Sequence, residues 1–310
     1  MRGMQAALVL LLLGFSGSAG ARPLGERWEA QEYWLHGVLT GVALAGSAAV
    51  TGLRGAHGGR WDWAPGVDRS VRANFSDSAA HTSDVLGVTA LLLPVGAQMS
   101  NGFDTAFGNA SLIYLEAHAA NLLLTSVTKE IVRRPRPYTH SESPEVQRFA
   151  EAQGSEAYVS FFSGHASSSY TAAVAGSLLY SARTREPWAR HVMWGTEMLL
   201  AGTTAQLRVR SGRHYRTDIW LGTLVGSAIG VAVPALHGVQ PKVSASELGV
   251  AGGALLLTLV GGELLDPCRL LGCATHDLKQ PLALDTPASD WSLAPWASAQ
   301  GSGLQLSGYW

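Results

Sequence analysis

The stretch "FFSGHASSSY", residues 161–170, passes from two aromatics through a Ser-Gly-His triplet into a run of small residues. Two readings are open. In one, Ser163 is a nucleophile activated by His165. In the other, Ser163, Gly164 and His165 open a helix whose N-terminus holds an anion. A serine cap and a glycine leave free N–H groups at the positive end of the helix dipole. What the rest of the chain brings to this stretch decides between them.

The chain has 310 residues, 47% of them hydrophobic and 15% charged, with a net charge of −1. That charge argues against a nucleic-acid binder, so any basic character is local. Apolar segments of helical length, rich in Ala and Leu, recur along the chain. They predict helices over 33–53, 84–99, 111–132, 164–183, 188–207, 214–236 and 246–265. Stretches 54–82 and 133–160 read as irregular connections, the second opened by the helix-breaking prolines of "RRPRP". Two alternating pieces around "SAQGSG" near the C-terminus suggest a β-hairpin. The predicted fold is all-α, a bundle of about six to seven helices with a small C-terminal hairpin.

Positive charge is concentrated. Of 22 Lys and Arg, one window holds Lys129, Arg133, Arg134 and Arg136, and a second holds Arg208, Arg210, Arg213 and Arg216. Like charges this dense repel one another unless an anion sits among them. If the helices run up and down as neighbours, both windows and the Ser-Gly-His stretch share one end of the bundle. Arginine forks and a helix N-terminus suit phosphate. Within the second window His214 and Asp218 are four apart and share a helix face. Asp218 is then expected to accept a bond from one ring nitrogen of His214, fixing the tautomer.

These stretches resemble the signature of the type 2 phosphatidic acid phosphatase superfamily, which includes bacterial non-specific acid phosphatases and vanadium haloperoxidases. Its pattern is K-x6-RP, then PSGH, then SR-x5-H-x3-D. "KEIVRRPRP" supplies Lys129, Arg136 and Pro137; "FSGH" supplies Ser163, Gly164 and His165; "RVRSGRHYRTD" supplies Arg208, His214 and Asp218. Phe162 and Leu207 depart from the pattern, standing where the family has Pro and Ser. The resemblance implies that His214 attacks phosphorus, that Asp218 orients it, and that His165 protonates the leaving oxygen and then activates water. Lys129, Arg136, Ser163, Gly164 and Arg208 would hold the phosphate. No cofactor or metal is implied, since fixed cations stabilise the transferring group. The expected substrate is a phosphate monoester or a lipid phosphate or diphosphate. The same pocket admits vanadate-dependent halide oxidation or simple phosphate binding. An acyl hydrolase at Ser163 lacks the G-x-S-x-G context.

The N-terminus reads as an export signal: Arg2, the apolar "ALVLLLLGF", and small residues ending at Ala21. The expected layout is a signal peptide, 1–21; a helical phosphatase domain, 22–265, with motif core 111–236; and a tail, 266–310. Export permits a disulfide between Cys268 and Cys273 in that tail. Location turns on parity. If residue 22 is outside and 33–53, 84–99 and 111–132 all cross a membrane, the site faces the cytoplasm, whereas the family's membrane members face theirs outward. Glu116, His118, Asn121, Lys129 and Glu197 inside the helices favour a soluble periplasmic bundle. The basic turn "RTREPWAR" favours an inner-membrane form. The reading leans to the soluble form, with its site in the periplasm.

Overall fold

The computed structural model describes residues 24–61, 63–239, 243–264, 292–298 and 301–307. The export signal and the cysteine pair fall outside them. In chain order the helices are α1 (Ala30–Gly52), α2 (Gly66–Arg69), α3 (Asp77–Met99), α4 (Thr105–Val132), α5 (Pro144–Ala152), α6 (Gly164–Arg183), α7 (Pro187–Arg210), α8 (Arg216–Leu236) and α9 (Ala245–Leu264). Strands β1 (Ser292–Ser298) and β2 (Gly301–Ser307) pair antiparallel, with Ser292 opposite Ser307. The fold is an all-α bundle.

Two helices begin six or seven residues before their apolar pattern does, because caps start them. The Ser76 hydroxyl accepts from the Ala79 N–H at 3.2 Å, and the Asp104 carboxylate accepts from the Phe107 N–H at 2.8 Å. The connection 133–160 contains a short amphipathic helix, α5, entered through Pro144 and burying Val146 and Phe149. Its polar face hides it from an apolar scan.

Helix α6 is buried almost throughout and forms the axis of the bundle. Helix α8 lies parallel against it through Gly222, Gly226 and Gly230, one per turn. A β-carbon at Gly226 would stand 2.1 Å from the Ser167 carbonyl oxygen, so only glycine permits this approach. Thr171 Oγ1 donates to the Gly226 carbonyl across the seam at 3.1 Å. The seam puts the first turns of α6 and α8 side by side.

Helix α1 runs parallel to α4. Tyr33 donates to Asn109 Oδ1 at 2.6 Å, the Ser47 and Ser126 hydroxyls meet at 2.8 Å, and Arg54 pairs with Glu130. Helix α3 runs the opposite way, with Asp77 beside Arg213 and Gln98 beside Arg183, so each of α1, α3 and α4 passes from one end of the bundle to the other.

Of the polar residues that argued for a soluble bundle, Glu116, His118, Asn121 and Glu197 are buried and Lys129 is half-buried. Large apolar side chains point out instead, with Trp34 70%, Leu92 64% and Leu224 65% exposed. Helices α1, α3, α8 and the Ala245–Gly262 part of α9 are long and apolar enough to cross a membrane. Exposed apolar side chains over helices that bury their polar groups are compatible with a lipid surrounding.

Candidate active site

Both basic windows and the Ser-Gly-His stretch meet at one end of the bundle. Lys129 lies in the last turn of α4, which stops at Arg133 in a left-handed conformation, φ 48°. The next residues are stitched to the segment before α6: the Arg136 N–H donates to the Ala157 carbonyl at 2.8 Å, and the Ser160 N–H to the Arg134 carbonyl at 3.0 Å. Ser163 caps α6, accepting from the Ala166 N–H at 3.3 Å. Its own N–H donates to the Asp218 carbonyl of α8 at 3.2 Å. Ser163 is thus a buried cap with its oxygen turned into the helix. Gly164 follows, where a β-carbon would stand 3.8 Å from Lys129 Nζ.

The turn between α7 and α8 carries His214. It closes at Gly212, φ +72°, where a β-carbon would stand 1.7 Å from the Asn74 carbonyl oxygen. Helix α8 then starts at Arg216, two residues after His214, because Asp218 Oδ2 accepts the Tyr215 N–H at 2.9 Å and caps it. The expectation of a shared helix face is therefore corrected. His214 Nδ1 is 3.7 Å from Asp218 Oδ2 but 2.7 Å from the Ser160 carbonyl oxygen. A carbonyl can only accept, so Nδ1 carries the proton and the lone pair is on Nε2.

Asp218 is fully buried within a network of its own. It accepts from Arg134 Nη1 at 2.5 Å and from the Ser160 hydroxyl at 2.5 Å. Arg134 also donates to Asp68 at 2.8 Å and lies 4.0 Å from the centre of the Tyr215 ring. Asp218 therefore fixes the Ser160 segment and the start of α8, and through them the histidine.

The remaining expected residues converge on His214. Arg136 is anchored by the Glu156 carbonyl at 2.8 Å and faces the Glu156 carboxylate at 3.4 Å. Asp84 of α3 joins His165 to Arg208, lying 2.8 Å from His165 Nε2 and 3.0 Å from Arg208 Nη1. His165 is 24% exposed, whereas His214 is buried. Burial holds the His214 pKa well below its ordinary 6.5, and the charges of Arg136, Arg208, Lys129 and His165 push it further down. His214 is therefore neutral, with a free lone pair, in a strongly positive surrounding.

Other members of the basic windows serve the frame. Arg213 stacks on Phe149 at 4.6 Å and reaches Asp77 at 3.2 Å. Arg216 donates to the Val67 carbonyl at 2.9 Å, and Arg133 to the Glu130 carbonyl at 3.1 Å. The departures Phe162 and Leu207 are both buried packing positions. Sequence reasoning missed Ser160, Asp68 and Asp84, and it saw Arg134 only as one member of a basic window. Asp84 had a signal, a lone carboxylate at the start of an apolar segment; Ser160 touches His214 through its backbone and had none.

A buried neutral imidazole among fixed cations beside a helix N-terminus is suited to bind a phosphate-like anion and attack it. Residues 110–241 match the family model described as PAP2 superfamily, a span that includes Lys129, His165, His214 and Asp218. No curated protein and no solved structure matches the chain. Residues 110–241 of this chain form a PAP2 superfamily domain, with the phosphatase-type function that membership supports.

Proposed function

We propose that the protein is a membrane-embedded, metal-independent phosphatase that acts on phosphate monoesters or lipid phosphates and diphosphates through a phosphohistidine. The observation that carries this reading is the 2.7 Å contact between His214 Nδ1 and the Ser160 carbonyl oxygen. It leaves Nε2 as the nucleophile, among the cations that would hold the phosphate.

In the first step His214 Nε2 bonds to phosphorus as the P–O bond to the leaving group breaks. His165 gives its proton to that oxygen, with Asp84 at 2.8 Å as the anionic partner of the imidazolium. In the second step His165 takes a proton from water, which attacks phosphorus as the P–N bond breaks. Phosphate leaves and His214 returns neutral. Lys129, Arg136 and Arg208, with the Gly164 N–H in the first turn of the helix that Ser163 caps, hold the equatorial oxygens. Asp218 acts as a positioning residue through Ser160 and Arg134.

Membrane embedding is supported by the apolar exterior and by the four candidate spanning helices. The bundle also sharpens the question of sidedness. Because α1, α3 and α4 each run its full length, residue 24 and the phosphate site lie at opposite ends. In a bundle that crosses a membrane, an exported residue 22 and an outward-facing site exclude each other.

The test is hydrolysis by purified full-length protein across a panel of lipid and small phosphates. Turnover should survive EDTA and be inhibited by vanadate, which mimics the pentacoordinate transition state. Turnover that requires an added divalent metal, or that resists vanadate, contradicts the reading.

A further inference from the structure

At the end of the bundle away from the phosphate site, three side chains remote in sequence meet: His36 of α1, Glu116 of α4 and His237, which caps the C-terminus of α8. We propose that they form a binding site for a divalent transition metal, with Zn²⁺ the best fit.

The ligand geometry comes first. One donor atom from each of the three residues lies within 4.8 Å of the others, the one such group of three among the described residues. His36 Nδ1 is 3.1 Å from Glu116 Oε1, and His237 Nε2 is 2.6 Å from Glu116 Oε2. Zn–N and Zn–O bonds of about 2.0–2.2 Å place two donors of one tetrahedral ion roughly 3.4 Å apart. Sub-ångström movements would seat an ion here.

Unmet valence is the independent observation. His36 Nδ1 and Glu116 Oε1 are both buried and meet 3.1 Å apart as an ion pair that lacks the alignment of a good hydrogen bond. A buried ring nitrogen and carboxylate oxygen that meet in poor alignment recover only part of the free energy lost on leaving water. A metal ion takes both lone pairs at once. Two imidazoles and one carboxylate leave a fourth position for water, the usual three-ligand zinc arrangement. Imidazole donors argue against Mg²⁺ and Ca²⁺, which take oxygen.

The surroundings close the site. Trp28 stacks on the His237 ring with centroids 5.2 Å apart and planes at 2°, and lies 5.3 Å from the His36 ring. All three ligand side chains are at most 4% exposed. An ion here would tie α1 and the end of α8 to α4. It would take no part in phosphoryl transfer: Glu116 is 129 − 116 = 13 residues from Lys129 on one helix, about 20 Å at 1.5 Å per residue. The inference therefore stands whether or not His214 is the nucleophile.

The test uses full-length protein in detergent, carrying an affinity tag without histidines and stripped with a chelator. Titrated with Co²⁺, it should take up one ion per chain with the visible ligand-field absorption of a four-coordinate site, and Zn²⁺ should displace it and raise the melting temperature. His214→Ala, altered only at the phosphate site, should behave the same. Glu116→Gln and His36→Asn should lose both the absorption and the Zn²⁺-dependent rise. Wild-type protein that binds no Co²⁺ with this absorption overturns the proposal, and that result does not depend on how the variants fold. Uptake unchanged in both ligand variants overturns it equally.

Discussion

His214 Nδ1 lies 2.7 Å from the carbonyl oxygen of Ser160, whereas the Asp218 carboxylate stands 3.7 Å away. The backbone, and not the acid four residues on, selects the tautomer. Asp218 acts one step back: it binds the Ser160 hydroxyl, Arg134 and the first turn of α8. A neutral acceptor does not favour the charged imidazole as a carboxylate would, which suits a histidine that must present a lone pair.

The pH profile follows. The His214 pKa lies well below 6.5, with burial as the main cause and the surrounding cations as the second. The neutral, nucleophilic form exists above that pKa and is lost as pH falls through it. The acid limb of kcat/KM, corrected for ionisation of the substrate, should lie below pH 6.5. A limb at or above 6.5 would mean that His214 is not the group being read.

Much of this was legible in the chain. Spaced motifs single out Lys129, Arg136, His165, Arg208, His214 and Asp218, and the fold brings these residues together at one end of the bundle. The long helices announce themselves by apolar length. Ser160 was not legible, since its contact with His214 is made by a carbonyl oxygen that every residue possesses. Arg134 was visible only as one more member of a basic window; its burial between Asp68 and Asp218 comes from three segments far apart in sequence. The start of α8 was misplaced because the Asp218 cap overrides the apolar pattern.

Arg134 offers a test of that hidden frame. It is buried and pairs with both Asp68 and Asp218. Arg134→Met would leave two buried carboxylates without their cation, at a cost of about 3–5 kcal/mol. The melting temperature should fall strongly, and activity should fall at temperatures where the variant is still folded. A variant as stable and active as wild type would show that Asp218 needs no such partner.

His165 should matter in proportion to the leaving group. His165→Ala should lose most of its turnover on alkyl phosphates, about 10²–10⁴-fold. It should lose less in that first step with an aryl phosphate, whose leaving oxygen needs no proton. Single-turnover rates compare the two, and equal losses would remove His165 as the general acid.

Sidedness has its own test. Glu142, just before α5, is at the site end of the bundle, and Arg185, between α6 and α7, is at the far end. Single cysteines at these positions should react with an impermeant maleimide on one face only in intact spheroplasts, and both should react after permeabilisation. Labelling of both in intact spheroplasts would indicate a bundle that does not cross the membrane. Whichever position reacts alone shows whether an exported N-terminus or an outward-facing site survives.

The central claim is that His214 carries the phosphoryl group. The most direct measurement is rapid acid-free denaturation of enzyme mixed with ³²P-labelled substrate, followed by mapping of the labelled residue. The account predicts an acid-labile, base-stable phosphoramidate on His214 in the wild type, and no label in His214→Ala. Label on any other residue, or turnover retained by His214→Ala, would contradict it.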